Sequence, residues 1–217
     1  MYPLTVKAAY AYVRKAIDEL TSVEDIGMLI EPDSIDLHRL VEGFIIEAVV
    51  KTHSLAPTLA LEGESANQGE DYSIGLEDGV VTISMLTPIL KVLSVKCSDS
   101  DYILSDLIPE NSAEGRKQLN KYVRGTYDDP RLVLLKKTNG DHKPILKYYT
   151  TTTKDIEELS FDIEYIPYPD LVEGVVMIAP RMEYAVLNQI VAMVLDSYKE
   201  GDLADRFRAK SKEYMEG

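Results

Sequence analysis

The chain contains three histidines, His38, His53 and His142, and none lies within four residues of another histidine or of the single cysteine, Cys97. Zinc sites use such ligands at short, regular spacings, so the pattern does not predict a metal site. We expect His38 on the polar side of a helix, His53 at the end of that helix and His142 in a hairpin turn. These places favour helix-terminus or surface roles over catalysis. We therefore predict no catalytic, cofactor-binding or metal-ligating residue.

Sequence motifs for the common covalent chemistries are also missing. The chain has no Gly-x-Ser-x-Gly elbow, no phosphate-binding loop and no Gly-x-Gly-x-x-Gly between a strand and a helix. A lone cysteine cannot form an intramolecular disulfide, and we expect Cys97 to be a packed thiol in a reducing compartment. The sequence thus predicts a protein that is not an enzyme and needs no cofactor.

Carboxylates are the one abundant reactive group. No cluster has the twelve-residue calcium-loop pattern. A pair of acids could serve glycoside cleavage, but sequence spacing does not set the separation that this chemistry requires, and the chain has no tryptophan for sugar stacking. An acid–base hydrolase therefore stays as a third hypothesis. The local clusters are Asp99-Ser100-Asp101, Asp128-Asp129 and Asp155 with Glu157-Glu158.

Tyrosine occurs 14 times, including Tyr148-Tyr149 and the stretch from Tyr165 to Tyr168. A tyrosine combines a large apolar area with a polar tip, which suits partly hydrated protein interfaces. The same residues also suit strands and cores. Both interpretations stay open at this point.

The net charge of −14 opposes general binding to nucleic acid, because phosphate contacts require a cationic surface. The charge is uneven along the chain: residues 61–110 hold 2 basic and 10 acidic groups, whereas residues 111–155 hold 10 basic and 5 acidic groups. Opposed fields of this kind can steer copies of one chain together, or they can be two solvated faces.

No apolar stretch approaches the length of about 18 residues that a membrane helix needs. The first residues, Met-Tyr-Pro-Leu-Thr, have neither the basic region nor the apolar region of a secretory signal. We expect a soluble protein that is not exported and has no membrane partner.

Both ends of the chain have helical periodicity. Apolar residues recur every three or four positions over residues 5–20, which predicts a first helix. A second helix is expected after a break at Gly27 and Pro32, with Asp33 or Ser34 as its N-cap. The helical period returns after Pro180. The second of these helices is expected to be central. Glu200-Gly201-Asp202 is expected to turn the chain into a last helix that carries Leu203, Phe207 and Tyr214.

Between residues 57 and 168 the period changes to about two, which predicts strands that bury alternate residues. The clearest hairpin joins residues 132–137 to residues 145–149 through Thr138-Asn139-Gly140-Asp141, since Asn-Gly adopts the positive φ angles of tight turns. A short helix is expected over residues 112–122 with Ser112 as cap. Residues 62–78, rich in Gly, Glu and Ser, are expected to form an exposed mobile loop, and Thr150 to Thr153 a strand exit.

These patterns predict the α+β class: a helical bundle formed by the N- and C-terminal helices with a central antiparallel β-rich subdomain. The expected divisions are residues 1–56 for the N-terminal helices, 57–169 for the β-rich insertion and 170–217 for the C-terminal helices.

Several segments, in order, resemble the head-to-tail adaptor or ring proteins that sit beneath the portal of tailed bacteriophages, especially podovirus-like phages of the crAss-like type. The closing segments carry the strongest similarity, and the sequence departs from the family around Pro88, where Thr87 and Ile89 replace acidic residues. The segments are 81–96 (VTISMLTPILKVLSVK), 107–112 (LIPENS), 118–126 (QLNKYVRGT) with Asp129-Pro130, 146–149 (LKYY), 163–169 (IEYIPYP) and 178–180 (IAP) before two helices.

This resemblance implies a structural virion protein that forms a ring, commonly of twelve copies, in the neck of the particle. The ring docks on the portal protein, meets the next tail or ring protein and leaves a channel through which DNA passes without specific binding. Assembly takes place in the cytoplasm of the bacterial host. The alternative function is a cytoplasmic module that binds a carbohydrate or a peptide on its β-region.

Overall fold

A computed structural model describes residues 1–23, 34–126, 128–135, 141–150 and 158–216. These residues form five helices and eleven strands with mainly antiparallel pairing, so the predicted α+β class is confirmed. Within the described part of the chain, no helix combines the length and the apolar character that crossing a bilayer requires. The finer arrangement of the helices as a bundle stays a prediction.

The chain divides into two compact units. The helical unit contains Met1–Glu62 and Pro169–Gly217, and the strand unit contains Gly63–Tyr168. Each unit holds a hydrophobic interior of its own.

In its described residues, the helical unit has four α-helices and a two-stranded ribbon. The first helix buries one stripe, Val6, Ala9, Val13 and Ile17, at the spacing that the sequence predicts. The elements are β1 (Tyr2–Thr5), α1 (Val6–Val23), α2 (Ser34–Leu55), a 3₁₀ turn (Thr58–Ala60), β11 (Val175–Ile178), α4 (Glu183–Ser197) and α5 (Gly201–Glu216).

Helix α4, more than α2, has the central position in this unit. It packs against α1, α2 and α5, and ten of its fifteen residues are buried. The interior around α4 also takes in two polar residues, Asn188 and Gln189, that interrupt its apolar stripe. The sequence predicted a central position for α2 because of its wide apolar face, but α4 is the helix that is covered on more sides.

The ribbon of β1 and β11 was not predicted. It pairs antiparallel from Tyr2 opposite Ile178 to Thr5 opposite Val175. Four residues that include a proline give no periodic signal of their own, so only the partner strand makes this segment a strand. The Thr5 hydroxyl then accepts a hydrogen bond from the Ala8 N–H at 3.1 Å, and the helix begins one residue later than predicted.

The strand unit contains two sheets. One has the order β2-β10-β5-β6 and the other the order β3-β4-β9-β8-β7, in which only β7 and β8 run parallel. The elements are β2 (Glu64–Ser65), β3 (Tyr72–Glu77), β4 (Val80–Met85), β5 (Ile89–Cys97), β6 (Ile103–Leu104), β7 (Ile108–Pro109), α3 (Ala113–Gln118), β8 (Arg131–Leu135), β9 (Ile145–Tyr149) and β10 (Phe161–Pro167).

Residues from both sheets form one core. The strands with period-two patterns bury the predicted residues, which confirms the alternation on β4, β5 and β10. The Tyr72 hydroxyl connects the sheets, because it donates to the Phe161 carbonyl at 2.7 Å and accepts from the Phe161 N–H at 3.2 Å. The predicted buried residues are Val81, Ile83, Met85, Leu93, Val95, Cys97, Phe161, Ile163 and Tyr165.

The expected loop over residues 62–78 is wrong for much of its length, since β2 and β3 lie within it. Strand β3 is at the edge of its sheet and carries Gly and Glu, so it lacks the alternation of a half-buried strand. Its hairpin to β4 turns at Asp78 and Gly79, with φ angles of 51° and 71°. Asp-Gly is a strong hairpin signal, and it could have identified this strand.

Two other predictions in the strand unit are confirmed. Strands β8 and β9 pair antiparallel, from Arg131 opposite Tyr149 to Leu135 opposite Ile145. Ser112 caps α3, since its hydroxyl accepts from the Gly115 N–H at 2.9 Å, although the helix ends earlier than expected. Other predictions concern positions outside the described residues: Gly27, Pro32, Asp33, Thr138 to Gly140, Thr151 to Thr153, Asp155 and Glu157.

Candidate assembly surface

His53 is a buried structural residue of the helical unit. Its Nδ1 lies 2.9 Å from the Val49 carbonyl and its Nε2 lies 2.9 Å from the backbone N–H of Ala179. Nδ1 must therefore carry the proton and donate, while Nε2 accepts from Ala179. The side chain ties the end of α2 to the segment after β11. The prediction of a helix-end position is confirmed, and the histidine is fully buried there.

The other histidines and Cys97 do not come together in a site. His38 is an exposed residue of α2 beside the Tyr10 ring, and about 22 Å of helix separates it from His53. His142 is in the strand unit, where its ring stacks on Tyr168 with centroids 3.7 Å apart. Cys97 is buried in the core of the same unit.

The acidic clusters do not form a metal site within the described ranges. No group of three or more His, Cys, Asp or Glu side chains there could hold an ion. Asp129 instead pairs with Arg131, at 2.7 Å between Oδ2 and Nη2. The carboxylates of Asp101 and Asp106 lie on the surface near the exposed side chains of Tyr102 and Ile103.

The tyrosines divide between core and surface, so each interpretation of them holds for some members. Burial raises the pKa of Tyr148 to about 12, and it also raises the pKa values of Tyr72, Tyr149 and Tyr165. Tyr72, Tyr148 and Tyr165 belong to the core between the two sheets, and Tyr149 packs with Ile108 and Val133 in a smaller cluster of the strand unit. The tyrosines with about half or more of their surface exposed are Tyr2, Tyr102, Tyr122, Tyr184 and Tyr214.

A row of three tyrosines lies on the helical unit. The rings of Tyr184 and Tyr214 stack with centroids 5.4 Å apart, and the Tyr12 ring lies 6.3 Å from Tyr184. The Tyr12 hydroxyl donates to Asn188 Oδ1 at 3.4 Å, and burial is the main cause that raises its pKa. Tyr184 and Tyr214 stay about half exposed, so the row presents an aromatic surface to solvent.

An apolar cleft opens between the end of α2 and the last turns of α5; we call it the α2–α5 cleft. Its volume is about 310 Å³. Leu55, at its edge, is 66 % exposed, and Met215 lies in its wall. Basic groups surround the opening. The lining residues are Lys51, Leu55, Pro57, Gln189, Arg208, Lys212, Met215 and Glu216.

The charges around this cleft are partly neutralised. Arg208 pairs with Asp196 and Asp205, and Lys212 lies 3.6 Å from Glu216. Lys51 has no carboxylate partner among the residues that the structure describes. The opening therefore keeps positive charge in a chain whose net charge is strongly negative.

Gln189 provides an unsatisfied hydrogen-bond donor in the lining of the cleft. The residue is only 3 % exposed, and its Nε2 has no hydrogen-bond partner in the described structure. The adjacent amide is satisfied, because Asn188 Nδ2 donates to the Tyr184 carbonyl at 2.7 Å. Leaving a buried donor unpaired costs about 1–3 kcal/mol, so this amide is a point of stored instability beside the cleft.

A second cleft of about 260 Å³ continues this surface past the 3₁₀ turn. It shares Pro57, Met215 and Glu216 with the first cleft, and Leu59 and Tyr214 extend it. Leu59 is fully exposed. We call the two clefts together with Leu55, Leu59 and Tyr214 the assembly surface.

The sequence resemblance predicts portal contact through the terminal helices and an arm at residues 62–78 that a neighbouring copy orders; it does not single out Gln189. A signal was available, because Asn188-Gln189 interrupts an otherwise apolar stripe of α4. The Asn188 amide donates to a carbonyl of its own helix, at Tyr184, whereas Gln189 Nε2 has no partner among the described residues. No family model, no curated protein and no solved structure matches this chain.

Proposed function

We propose that this protein is a structural, non-catalytic protein that self-associates, and that it is a head-to-tail adaptor of a tailed bacteriophage. The observation that carries the proposal is the assembly surface. Leu55 and Leu59 are exposed beside two apolar clefts. Contiguous apolar surface of this kind is typical of sites that another protein covers.

The aromatic row supports the same function. Tyrosines are enriched at protein interfaces, because they give large contact area with little loss of conformational entropy. Tyr184 and Tyr214 hold each other in a stacked arrangement on α4 and α5. Rings that are already ordered lose less freedom when a partner covers them.

The specific form of the proposal comes from the sequence resemblance. The protein assembles into a ring, commonly of twelve copies, docks on the portal and joins the capsid to the next tail or ring protein. A net charge of −14 suits a channel wall along which DNA slides without sticking. The ring belongs to the neck of the virion and assembles in the host cytoplasm.

The test is a native-mass and sedimentation series over protein concentration, alone and with purified portal protein. We expect a closed oligomer, and we expect Leu59→Asp to weaken its assembly about tenfold or more, because a charge would be buried. Leu59 is fully exposed, so the variant should fold normally. The matched control is Leu119→Asp, which changes an exposed leucine of the strand unit. A strictly monomeric protein at high concentration and with portal present would argue against the proposal.

A peptide-binding module is the second candidate function. The α2–α5 cleft favours it, since an apolar cavity with one convergent polar donor is typical of ligand sites. The sequence suggested such a site on the β-region, whereas this cleft belongs to the helical unit. A monomer that binds peptides saturably, with loss of binding in Leu55→Asp, would favour this function over assembly.

A further inference from the structure

We propose that the α2–α5 cleft binds the exposed acidic segment, residues 101–106, of a second copy of this chain. Tyr102 and Ile103 of that segment occupy the cleft, and Gln189 Nε2 donates a hydrogen bond to one of its oxygens. This inference rests on the proposed self-association and specifies which surfaces meet.

The cleft defines the chemistry of its occupant. Its walls are apolar at Leu55 and Met215, so the occupant has apolar side chains. Gln189 offers an unpartnered N–H, so the occupant has a carbonyl or carboxylate oxygen. Lys51 and Lys212 lie at the opening, so the occupant is acidic.

The acidic segment has each of these properties. Tyr102 is 50 % exposed and Ile103 is 64 % exposed, so the segment presents two adjacent apolar side chains to a partner. Exposed carboxylates, Asp101 and Asp106, flank them. Strand β6 within the segment lies at the edge of its sheet and pairs only with β5, so its outer backbone oxygens face away from the sheet.

Charge selects this segment over the other exposed apolar segment of the strand unit. Residues 119–124 expose Leu119, Tyr122 and Val123, but Lys121 and Arg124 accompany them. A basic segment would be repelled by Lys51 and Lys212 at the cleft. The acidic segment is attracted, and electrostatic complementarity decides partner choice and association rate.

The two surfaces differ, so the contact is heterologous. Each copy presents its cleft to one neighbour and its acidic segment to another. A contact of this type closes into a ring when the rotation between copies closes. The acidic segment of one copy is attracted to the basic groups at the cleft of the next copy, so the unequal charge along the chain sets the head-to-tail order of the subunits.

Reversal of charge on each surface tests the contact. The cleft variant is Lys51→Glu with Lys212→Glu, and the segment variant is Asp101→Lys with Asp106→Lys; these four side chains are exposed, so the variants should fold. We expect each variant alone to associate about a hundredfold more weakly than the wild type at low salt, and a 1:1 mixture to recover assembly because both junctions regain opposite charges. The control, Lys121→Glu with Arg124→Glu, should assemble as the wild type does.

The outcomes distinguish an error in the proposed contact from an error in the proposed function. If the wild type assembles and both variants assemble equally well, or if the mixture fails to recover assembly, the contact is wrong while the proposed function stands. If the control variant weakens assembly as much as the cleft variant, the contact is also wrong. If the wild type is monomeric under every condition, the proposed function and this inference are both overturned.

Gln189→Met separates a binding role from a structural one. The unassembled subunit should melt about 2–4 °C higher, because an unpaired amide leaves the interior, while assembly weakens about tenfold. Asn188→Leu is the matched control, since its amide is satisfied and its loss should lower the melting temperature. A Gln189→Met protein that assembles as tightly as the wild type would remove Gln189 from the contact.

Discussion

The two units satisfy their buried polar groups in different ways. In the strand unit, a hydroxyl joins two sheets, because the Tyr72 side chain both donates to and accepts from Phe161. In the helical unit, an imidazole joins the end of a helix to an extended segment, because the His53 side chain is bound to Val49 and Ala179. Ser211 adds a link from α5 to the Ala185 carbonyl at 2.8 Å.

The two units also differ in the buried polar groups that a binding partner could satisfy. The strand unit has one buried hydroxyl without a bonded partner, Thr87 Oγ1, but it lies close enough to Tyr165 to lower the pKa that burial raises. The helical unit has Gln189, whose donor lines an open cleft. A partner can therefore complete the helical unit, and this supports placing the assembly surface there.

The largest expected effect tests whether the two cores are independent. Ile83→Ala in the strand unit and Ile190→Ala in the helical unit each remove a fully buried side chain, and each should cost about 2–5 kcal/mol. Hydrogen exchange measured by peptide should show lost protection mainly in the unit that carries the change. Equal loss of protection in both units would contradict the independence of the two cores.

His53→Ala tests whether single side chains carry the polar network of the helical unit. It removes the ring contacts to Val49 and Ala179 and leaves the buried Ala179 N–H without the His53 acceptor. We expect a loss of about 2–4 kcal/mol in the free energy of unfolding, measured by denaturant titration. His38→Ala, on an exposed position of the same helix, should change that free energy by less than about 0.5 kcal/mol. Similar values for both variants would contradict the role of His53.

Helix caps provide a matched pair, one in each unit. Thr5→Ala removes the acceptor for Ala8 N–H in the helical unit, and Ser112→Ala removes the acceptor for Gly115 N–H in the strand unit. Each should cost about 1 kcal/mol. Ser105→Ala, at an exposed position, is the control and should have almost no effect on thermal unfolding.

The smallest expected effect is that of pH: stability should hardly change near neutral pH, and the strand unit should lose stability above about pH 10. Burial raises the pKa of Tyr148 from 10.0 to about 12, and three further buried tyrosines of the strand unit shift in the same direction. A raised folded-state pKa means that the stabilisation is complete below the unfolded value and is lost as pH rises through the folded value.

The strand unit should therefore unfold first between about pH 10 and 12. Phenolate absorbance should rise together with the loss of exchange protection in that unit. Phenolate formation by the buried tyrosines without any loss of protection would contradict this expectation.

Local signals explain which parts of the fold were predictable. The stripe of α1, the alternation of β4 and β10 and the Ser112 cap depend on residues that are neighbours in sequence, so the sequence showed them. The β1 ribbon and the edge strand β3 have weak local patterns. They become strands because a distant segment offers hydrogen bonds.

The sequence by itself determined the α+β class, the positions of most helices and the scattering of histidines that led us to predict no catalytic site. Only the tertiary structure decided which tyrosines are buried, that His53 joins the end of α2 to Ala179, and that Gln189 keeps an unpaired donor in the interior beside an apolar cleft. The reason is physical: burial and hydrogen-bond satisfaction depend on groups that chain folding brings together from far apart in sequence.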